Sequence, residues 1–255
     1  MEQKKGRKGK ESKWWKDFFN EHYIKTYAHL EATTSKEIEG VIKLLDLKPK
    51  AKVLDLCCGY GRHCIELALK GFKVTGYDLS KFFIERACKN AQALGLKIDF
   101  VEGDMRKIPF ENQFDAAINM FTSFGFFERE EDDLKVLKGV NRSLKQGGKF
   151  LLDTINREFL IRNFQSRKWV KKSGFVMLEE SFFDLFSNRM ETTRTLIFND
   201  NRRREYSISL RTYTLSEMID LLNQSNFTLE MVYGNFELKE YGLDSPRMIL
   251  ISTKR

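Results

Sequence analysis

The sequence has no run approaching the roughly 18–20 apolar residues that a membrane-spanning helix needs. Its N-terminus also lacks the apolar stretch of a secretory signal, so a cytoplasmic protein is expected. Cysteine is sparse, with four residues at positions 57, 58, 64 and 88. Adjacent Cys57 and Cys58 are poor partners for an ordinary disulfide, and no paired C-x-x-C spacing suggests zinc. Reduced, mostly buried thiols and no metal are expected. Internal repeats are absent. A broad basic surface is absent too: of the net +8, the first 16 residues carry +5, from seven Lys and Arg against two Glu. The remaining body is only mildly basic, which argues against nucleic acid as the natural partner.

What is present is a large supply of core-forming residues: 42% are hydrophobic, and 22 phenylalanines stand against 3 prolines. The length suits one large domain or one domain with an elaboration, which length alone does not separate. Residues 1–13 have no apolar periodicity and read as a disordered basic tail. From Trp14, aromatics at 14, 15, 18, 19, 23 and 27 follow helical spacing, and a second helix begins near Ser35. Strands and helices then alternate. "AKVLDL", "FKVTGYD", "KIDFVEGD", "QFDAAINMF" and "GGKFLLDT" read as strands, and "GRHCIELALKG", "SKFFIERACKNAQALG" and the segment from Glu130 as helices. This order implies a doubly wound, Rossmann-like, mostly parallel seven-stranded sheet. After Asn156 the helix signals stop, and turn clusters at 187–188 and 199–201 suggest two or three antiparallel strands. The expected organisation is a core over 14–155 whose N-terminal helices form a cap, an antiparallel β flap over 156–213, and the end of the core over 214–255.

The stretch "VLDLCCGYGRHCIELALKGFKVTGYDLS" concentrates the chemistry. In an open parallel sheet, ligands bind at the carboxyl ends of the strands, where strand order reverses. Gly59 and Gly61 lie just past the end of the first strand, and lacking Cβ atoms they let backbone approach a ligand closely. Asp78, at the tip of the second strand, stands where a carboxylate can accept ribose hydroxyls. A dinucleotide fingerprint would need glycine at 64, where this chain has Cys64. Asp55 would repel a pyrophosphate but suits an ammonium group. A nucleoside with a cationic amino-acid tail, S-adenosylmethionine, fits this set.

These motifs resemble those of the class I S-adenosylmethionine-dependent methyltransferases, specifically small-molecule types with an antiparallel flap after the fifth strand. Amino-sugar and glycine-type N-methyltransferases are similar in plan. "VLDLCCGYG" resembles the first motif, D-x-G-x-G-x-G, with Cys57 replacing its first glycine. The resemblance implies that Gly59 and Gly61 line the methionine part, with Asp55 nearby. "GYDLS" resembles the second motif, making Asp78 the ribose ligand and Leu79 an adenine neighbour. "EGDMRKIPF" resembles the third, placing Asp104 on the adenine amino group and Met105 beside the ring. "FDAAINMFTSFGFF", with Asn119, resembles the fourth, at the donor methyl. Tyr27 lies on a helix similar to one that closes over the cofactor in related enzymes.

The implied activity is transfer of a methyl group to a small-molecule acceptor, by a monomer or homodimer. No residue declares itself as a general base, which favours an amine over a hydroxyl. Phe121, Phe124, Phe126 and Phe127 are candidates for the acceptor pocket, and so are Asp153, Asn156 and Tyr213. His63 and Arg202–Arg204 read more simply as structural and solvated groups. The competing classes are an RNA or other nucleic-acid methyltransferase and a non-catalytic S-adenosylmethionine-binding protein. Against the former, the fourth strand ends in "NMFTSF", without the Asn/Asp-Pro-Pro-aromatic motif of base amino methylation.

Overall fold

A computed structural model describes residues 18–255. The basic tail over 1–13, together with Trp14 and Trp15, lies outside the described residues.

Helix α1 (Glu21–Tyr27) starts where Asn20 Oδ1 accepts from the His22 and Tyr23 amides. A 3-10 turn, Ala28–Thr33, leads into α2 (Thr34–Leu45), which stops at left-handed Asp46. Then come β1 (Lys52–Leu56), α3 (Arg62–Leu69), β2 (Lys73–Asp78), α4 (Lys81–Ala93), β3 (Asp99–Glu102), β4 (Phe114–Asn119), α5 (Glu130–Ser143) and β5 (Leu144–Ile155). Ser80 caps α4 by accepting from Phe83 N. Four acidic residues fill the first turn of α5, at the positive end of its dipole.

The large sheet has seven strands in the order β10-β11-β5-β4-β1-β2-β3. β1 to β5 pair in parallel, while β10 (Phe227–Tyr233) and β11 (Arg247–Lys254) close the far edge antiparallel. This is the expected mostly parallel, Rossmann-like sheet. Strand order reverses between β1 and β4, which puts the binding crevice at their carboxyl ends. Both faces are covered, so the central strands are apolar on both sides. Leu54, Leu56 and Ala117 pack against Val136, Leu137, Met218 and Leu221 of α5 and α7 (Leu215–Gln224). Val53, Ala116 and Ile118 pack against Ile38, Val41 and Leu67 of α2 and α3.

The flap is a separate antiparallel sheet of four strands, one more than the upper expectation: β6 (Arg167–Lys172), β7 (Phe175–Asp184), β8 (Arg189–Phe198) and β9 (Arg203–Arg211). β6 reads "RKWVKK" and shows no apolar alternation, because it is an edge strand whose basic side chains discourage pairing with another chain. The short helix α6 (Arg157–Arg162), capped by Asn156, was not evident from the sequence either. Both turn clusters do form the hairpins, with Asn188 and Asn201 in left-handed conformation. Among the described residues, no helix is long and apolar enough to cross a membrane.

Candidate functional site

The chain leaves β1 through Cys57 with φ of +61°, followed by Gly59 at +56° and Gly61 at +84°. Position 57 therefore adopts the left-handed conformation that favours glycine, and cysteine bears a local strain of about 1–2 kcal/mol there. A Cβ on Gly59 would meet nothing closer than 4.0 Å, whereas one on Gly61 would press on Ala87 at 3.0 Å and Phe100 at 3.1 Å. Gly59 is thus free of its surroundings and faces the crevice. Gly61 is a packing glycine behind it, at the N-cap of α3.

Asp78 ends β2 alongside this turn. Its Oδ2 accepts from Gly59 N at 2.9 Å and its Oδ1 from Ser80 N at 2.8 Å. Burial pushes its carboxyl up to about 6, against the pull of those amides. A carboxylate offers about four lone-pair sites, so both oxygens keep capacity for further donors.

A cavity of about 1080 Å³ opens above these strand ends. Single-ligand pockets run to roughly 300–1,000 Å³, so there is room for two small molecules. Of the expected residues, Tyr27, Cys57, Gly59, Asp78, Leu79, Asp104 and Met105 line it; Gly61, Asp55 and Asn119 do not. Asp55 is 1% exposed and accepts from Cys64 Sγ at 3.1 Å. It sits behind the turn, so no direct contact with a ligand's ammonium group is available to it. Burial raises its carboxyl above the ordinary range and does the same to the Cys57 and Cys64 thiols. Asn119 Nδ2 donates to Leu56 O at 3.1 Å, tying β4 to β1, while its buried Oδ1 has no partner among the described residues. All four cysteines are free thiols. Cys57 and Met105 bring their sulfurs to 3.4 Å, and Cys88, contrary to the expectation of burial, is exposed.

At the third strand's end, Asp104 engages its neighbour. Arg106 donates from its backbone N at 2.9 Å, from Nε at 3.0 and 3.1 Å, and from Nη2 at 2.6 Å. The guanidinium also stacks 4.7 Å over Phe127. Sequence spacing had not singled out Arg106, yet it lines the cavity.

After β4 the chain makes a strained loop in which Phe121 (φ 58°) and Thr122 (φ 54°) are consecutive left-handed residues. Such strain persists only when its surroundings enforce it. Here Asp153 does so: its Oδ2 accepts from Phe121 N at 2.8 Å and its backbone O from Thr122 N at 3.0 Å. Arg247 pairs with the same buried carboxylate, with Nε on Oδ1 at 2.5 Å. The Phe121 ring sits near Arg62, Arg247 and Tyr27. The expectation that Asp153, Asn156 and Tyr213 contact an acceptor is not met, because none lines the cavity. Asn156 binds the carbonyls of Gly242 and Ser245, and Tyr213 donates to buried Asp133 at 2.6 Å. Phe121, Phe126 and Phe127 line the cavity, whereas Phe124 is core.

His63 and Arg62 both contact Glu37, at 3.0 and 2.6 Å. Burial opposes ionisation of Glu37, yet those contacts hold its carboxyl down to about 2. The cavity's far wall is the flap, through Lys168, Glu179, Ser181, Met190, Thr192 and Arg194. These residues escaped sequence reading because a strand's inward face shows only as alternation. Arg202 pairs with Asp200 at the opposite hairpin tip.

Comparison with known proteins agrees with this geometry. Residues 53–148 match a family model described as a methyltransferase domain. The chain is 27% identical over 219 residues to a putative methyltransferase, YqeM, of Bacillus subtilis, covering 82% of this chain and 86% of the relative. A demethylmenaquinone methyltransferase of Bacillus cereus is 34% identical over 116 residues, 43% of this chain and 47% of its own length. Among solved structures, an S-adenosylmethionine-dependent methyltransferase from Clostridium acetobutylicum superimposes with a TM-score of 0.81 at 18% identity, covering 92% of this chain and 97% of that one. An amino pentose methyltransferase from Micromonospora echinaspora, solved with S-adenosylmethionine bound, gives 0.66 at 19% identity, over 88% and 91% of the two chains. The matched glycine-turn region, the sheet order and the crevice at its switch point agree with one another, and they make this chain similar in sequence and fold to S-adenosylmethionine-dependent methyltransferases.

Proposed function

We propose that the enzyme methylates a small molecule, most readily an amine, enclosed between the strand ends and the flap. One observation carries this reading: a single cavity is lined at one end by Gly59, Asp78 and Leu79, and at the other by the flap strands. The donor and a second molecule share that space.

The residues fit the donor. Asp78 retains lone pairs for the two ribose hydroxyls, and Leu79 and Met105 offer apolar flanks for adenine. The adenine amino group shares the Asp104 carboxylate with Arg106. Arg62 is the cation beside the glycine turn and suits the methionine carboxylate, while its bond to Thr34 Oγ1 at 2.9 Å fixes it in place. Bound there, S-adenosylmethionine supplies a methyl group activated on a positive sulfur, with a neutral thioether as leaving group.

The chain's own contribution is then alignment and exclusion of water. The Phe121–Ser123 loop, locked by Asp153, and the rings of Tyr23, Tyr27 and Phe126 wall the reaction space. These walls would hold an amine nitrogen against the donor's methyl group, and the proton the amine sheds after transfer would leave to solvent. Glu179 is saturated by cations, and Asp153 is turned away from the cavity. With neither carboxylate free to take a proton, the flap and the locked loop favour a nucleophile that reacts as the neutral amine. Enclosure by aromatic side chains also suits a small acceptor better than a nucleic-acid strand, which needs an open basic groove.

The test is calorimetric titration with S-adenosylmethionine, S-adenosylhomocysteine and NADH, followed by an acceptor screen, amines first, read by release of S-adenosylhomocysteine. Binding of the adenosyl compounds and acceptor-dependent turnover are expected. Binding with no turnover across amines and hydroxyl compounds would favour a non-catalytic role.

A further inference from the structure

The flap's inner face carries a charged row beside apolar Met190, Ile208 and Leu210. Across the antiparallel register, Lys168 faces Glu179, Glu179 faces Arg194, and Arg194 faces Tyr206. Ser181 and Thr192 follow on the next row, bonded to each other at 2.9 Å. Glu179 is 5% exposed and Arg194 8%. Burying an ion pair costs more than packing apolar groups of the same shape, so stability alone does not account for this one.

Donor counting shows what the row leaves unused. Arg194 Nε and Nη2 reach Glu179 Oε1 at 2.8 and 2.6 Å, and Nη2 also donates to Tyr27 Oη at 2.9 Å. Lys168 Nζ takes Glu179 Oε2 at 2.7 Å. The Phe18 and Tyr27 rings each lie 5.4 Å from the guanidinium carbon. Arg194 Nη1 has no hydrogen-bond partner among the described residues, and Arg194 lines the cavity. Two cations against one carboxylate leave the row at +1. Nη1 is not sealed from solvent, so in the cavity a ligand's acceptor can take the place of water on it.

We infer that Arg194 is the specificity-determining residue for the methyl acceptor, which carries a single carboxylate that binds Arg194 Nη1, with Lys168 beside it and the Ser181 and Thr192 hydroxyls on the adjacent row. A monoanion balances the row. A cationic group meets two like charges, and a dianion overcompensates while facing Glu179. The acceptor is thus an amino-carboxylate with an apolar body, its carboxylate on the flap and its nucleophile toward the Phe121–Ser123 loop. This rests on the reading of the cavity as a shared donor and acceptor site.

The experiment uses four probes that share one ring, added to the full chain saturated with S-adenosylhomocysteine: benzoate, benzamide, benzylamine and phenylphosphate. Binding is followed by ligand-observed NMR titration. Benzoate is expected to bind roughly 10- to 100-fold more tightly than benzamide, as a charge-assisted hydrogen bond to a buried arginine implies. Arg194→Gln should erase that preference while S-adenosylhomocysteine still binds, and Arg194→Lys should restore part of it. If Arg194→Gln melts too early to assay, Lys168→Met at the half-exposed neighbour should still weaken benzoate several-fold. Equal binding of benzoate and benzamide, or a preference for benzylamine or phenylphosphate, overturns the proposal. Failure of the wild-type chain to bind S-adenosylhomocysteine would instead defeat the reading of the cavity on which it rests.

Discussion

Replacing Asp78 with asparagine keeps the volume at the tip of β2 but removes a charge and one acceptor atom. In the native chain Oδ2 accepts from Gly59 N and Oδ1 from Ser80 N. The amide oxygen of the variant can satisfy only one of those amides, and its NH2 faces the other. In the proposed binding mode one ribose hydroxyl is therefore left without its charged acceptor. Hydrogen bonds to charged groups contribute about 1.5–3 kcal/mol, so the Kd for S-adenosylhomocysteine should rise about 10- to 150-fold at pH 7.5. The carboxyl sits at about 6 because of burial, which adds a pH signature. Above pH 6 the ionised form is ready to accept the hydroxyls. As pH falls below 6 it takes up a proton that must be released on binding, and affinity should drop by up to tenfold per unit. Stability of the unliganded protein runs the other way for this group. Its folded pKa lies above the unfolded value, so the folded state gains stability as pH falls from about 6 toward 4. Calorimetry from pH 5 to 8 on both proteins, with thermal melts alongside, measures each part. The reasoning is refuted if Asp78→Asn binds as tightly as the wild type, or if it keeps the wild-type loss of affinity at low pH.

Asp153→Asn should lower stability by about 3–5 kcal/mol, since Arg247 loses its buried charge partner and the strained Phe121–Thr122 loop loses its anchor; urea melts check this. Tyr213→Phe should cost about 1–3 kcal/mol, because Asp133 Oδ1 has no partner among the described residues and Oδ2 would lose the Tyr213 hydroxyl. Asp133 stands near 6 through burial, so the penalty should shrink as pH falls below 6 and the carboxyl is protonated; S-adenosylhomocysteine affinity should not change. Gly61→Ala should lower the melting temperature, because a left-handed alanine costs about 1–2 kcal/mol and its methyl meets Ala87 and Phe100. Deleting residues 1–12 should leave cofactor affinity intact, and a large loss on titration would make that tail part of the site.

The sheet was legible because its pattern is local. Apolar runs such as "VLDL" and "MILI", with glycine stops at 71 and 95, report strands and helix ends without knowledge of neighbours. Gly59 and Asp78 were legible as residues of the crevice because a tight turn at a strand end leaves few residue choices. Other features depended on partners far away in the chain. Asp55 was expected at the ligand, and only the packing of α3 against β1 turned it onto Cys64. Asp153 looked like a candidate acceptor contact, yet Arg247, from the last strand, makes it the clamp of a strained loop. Residues 1–17 contribute nothing to this comparison, since they lie outside the described structure. The flap side of the cavity was hidden most completely. Lys168, Glu179 and Arg194 stand on three different strands, and Tyr27 on a helix more than a hundred residues earlier. Alternation along each strand says that a side chain faces inward, but not what it will meet. Strand composition thus specified the sheet and its crevice. Antiparallel register and the folding of the flap over the crevice decided which charges face the cavity.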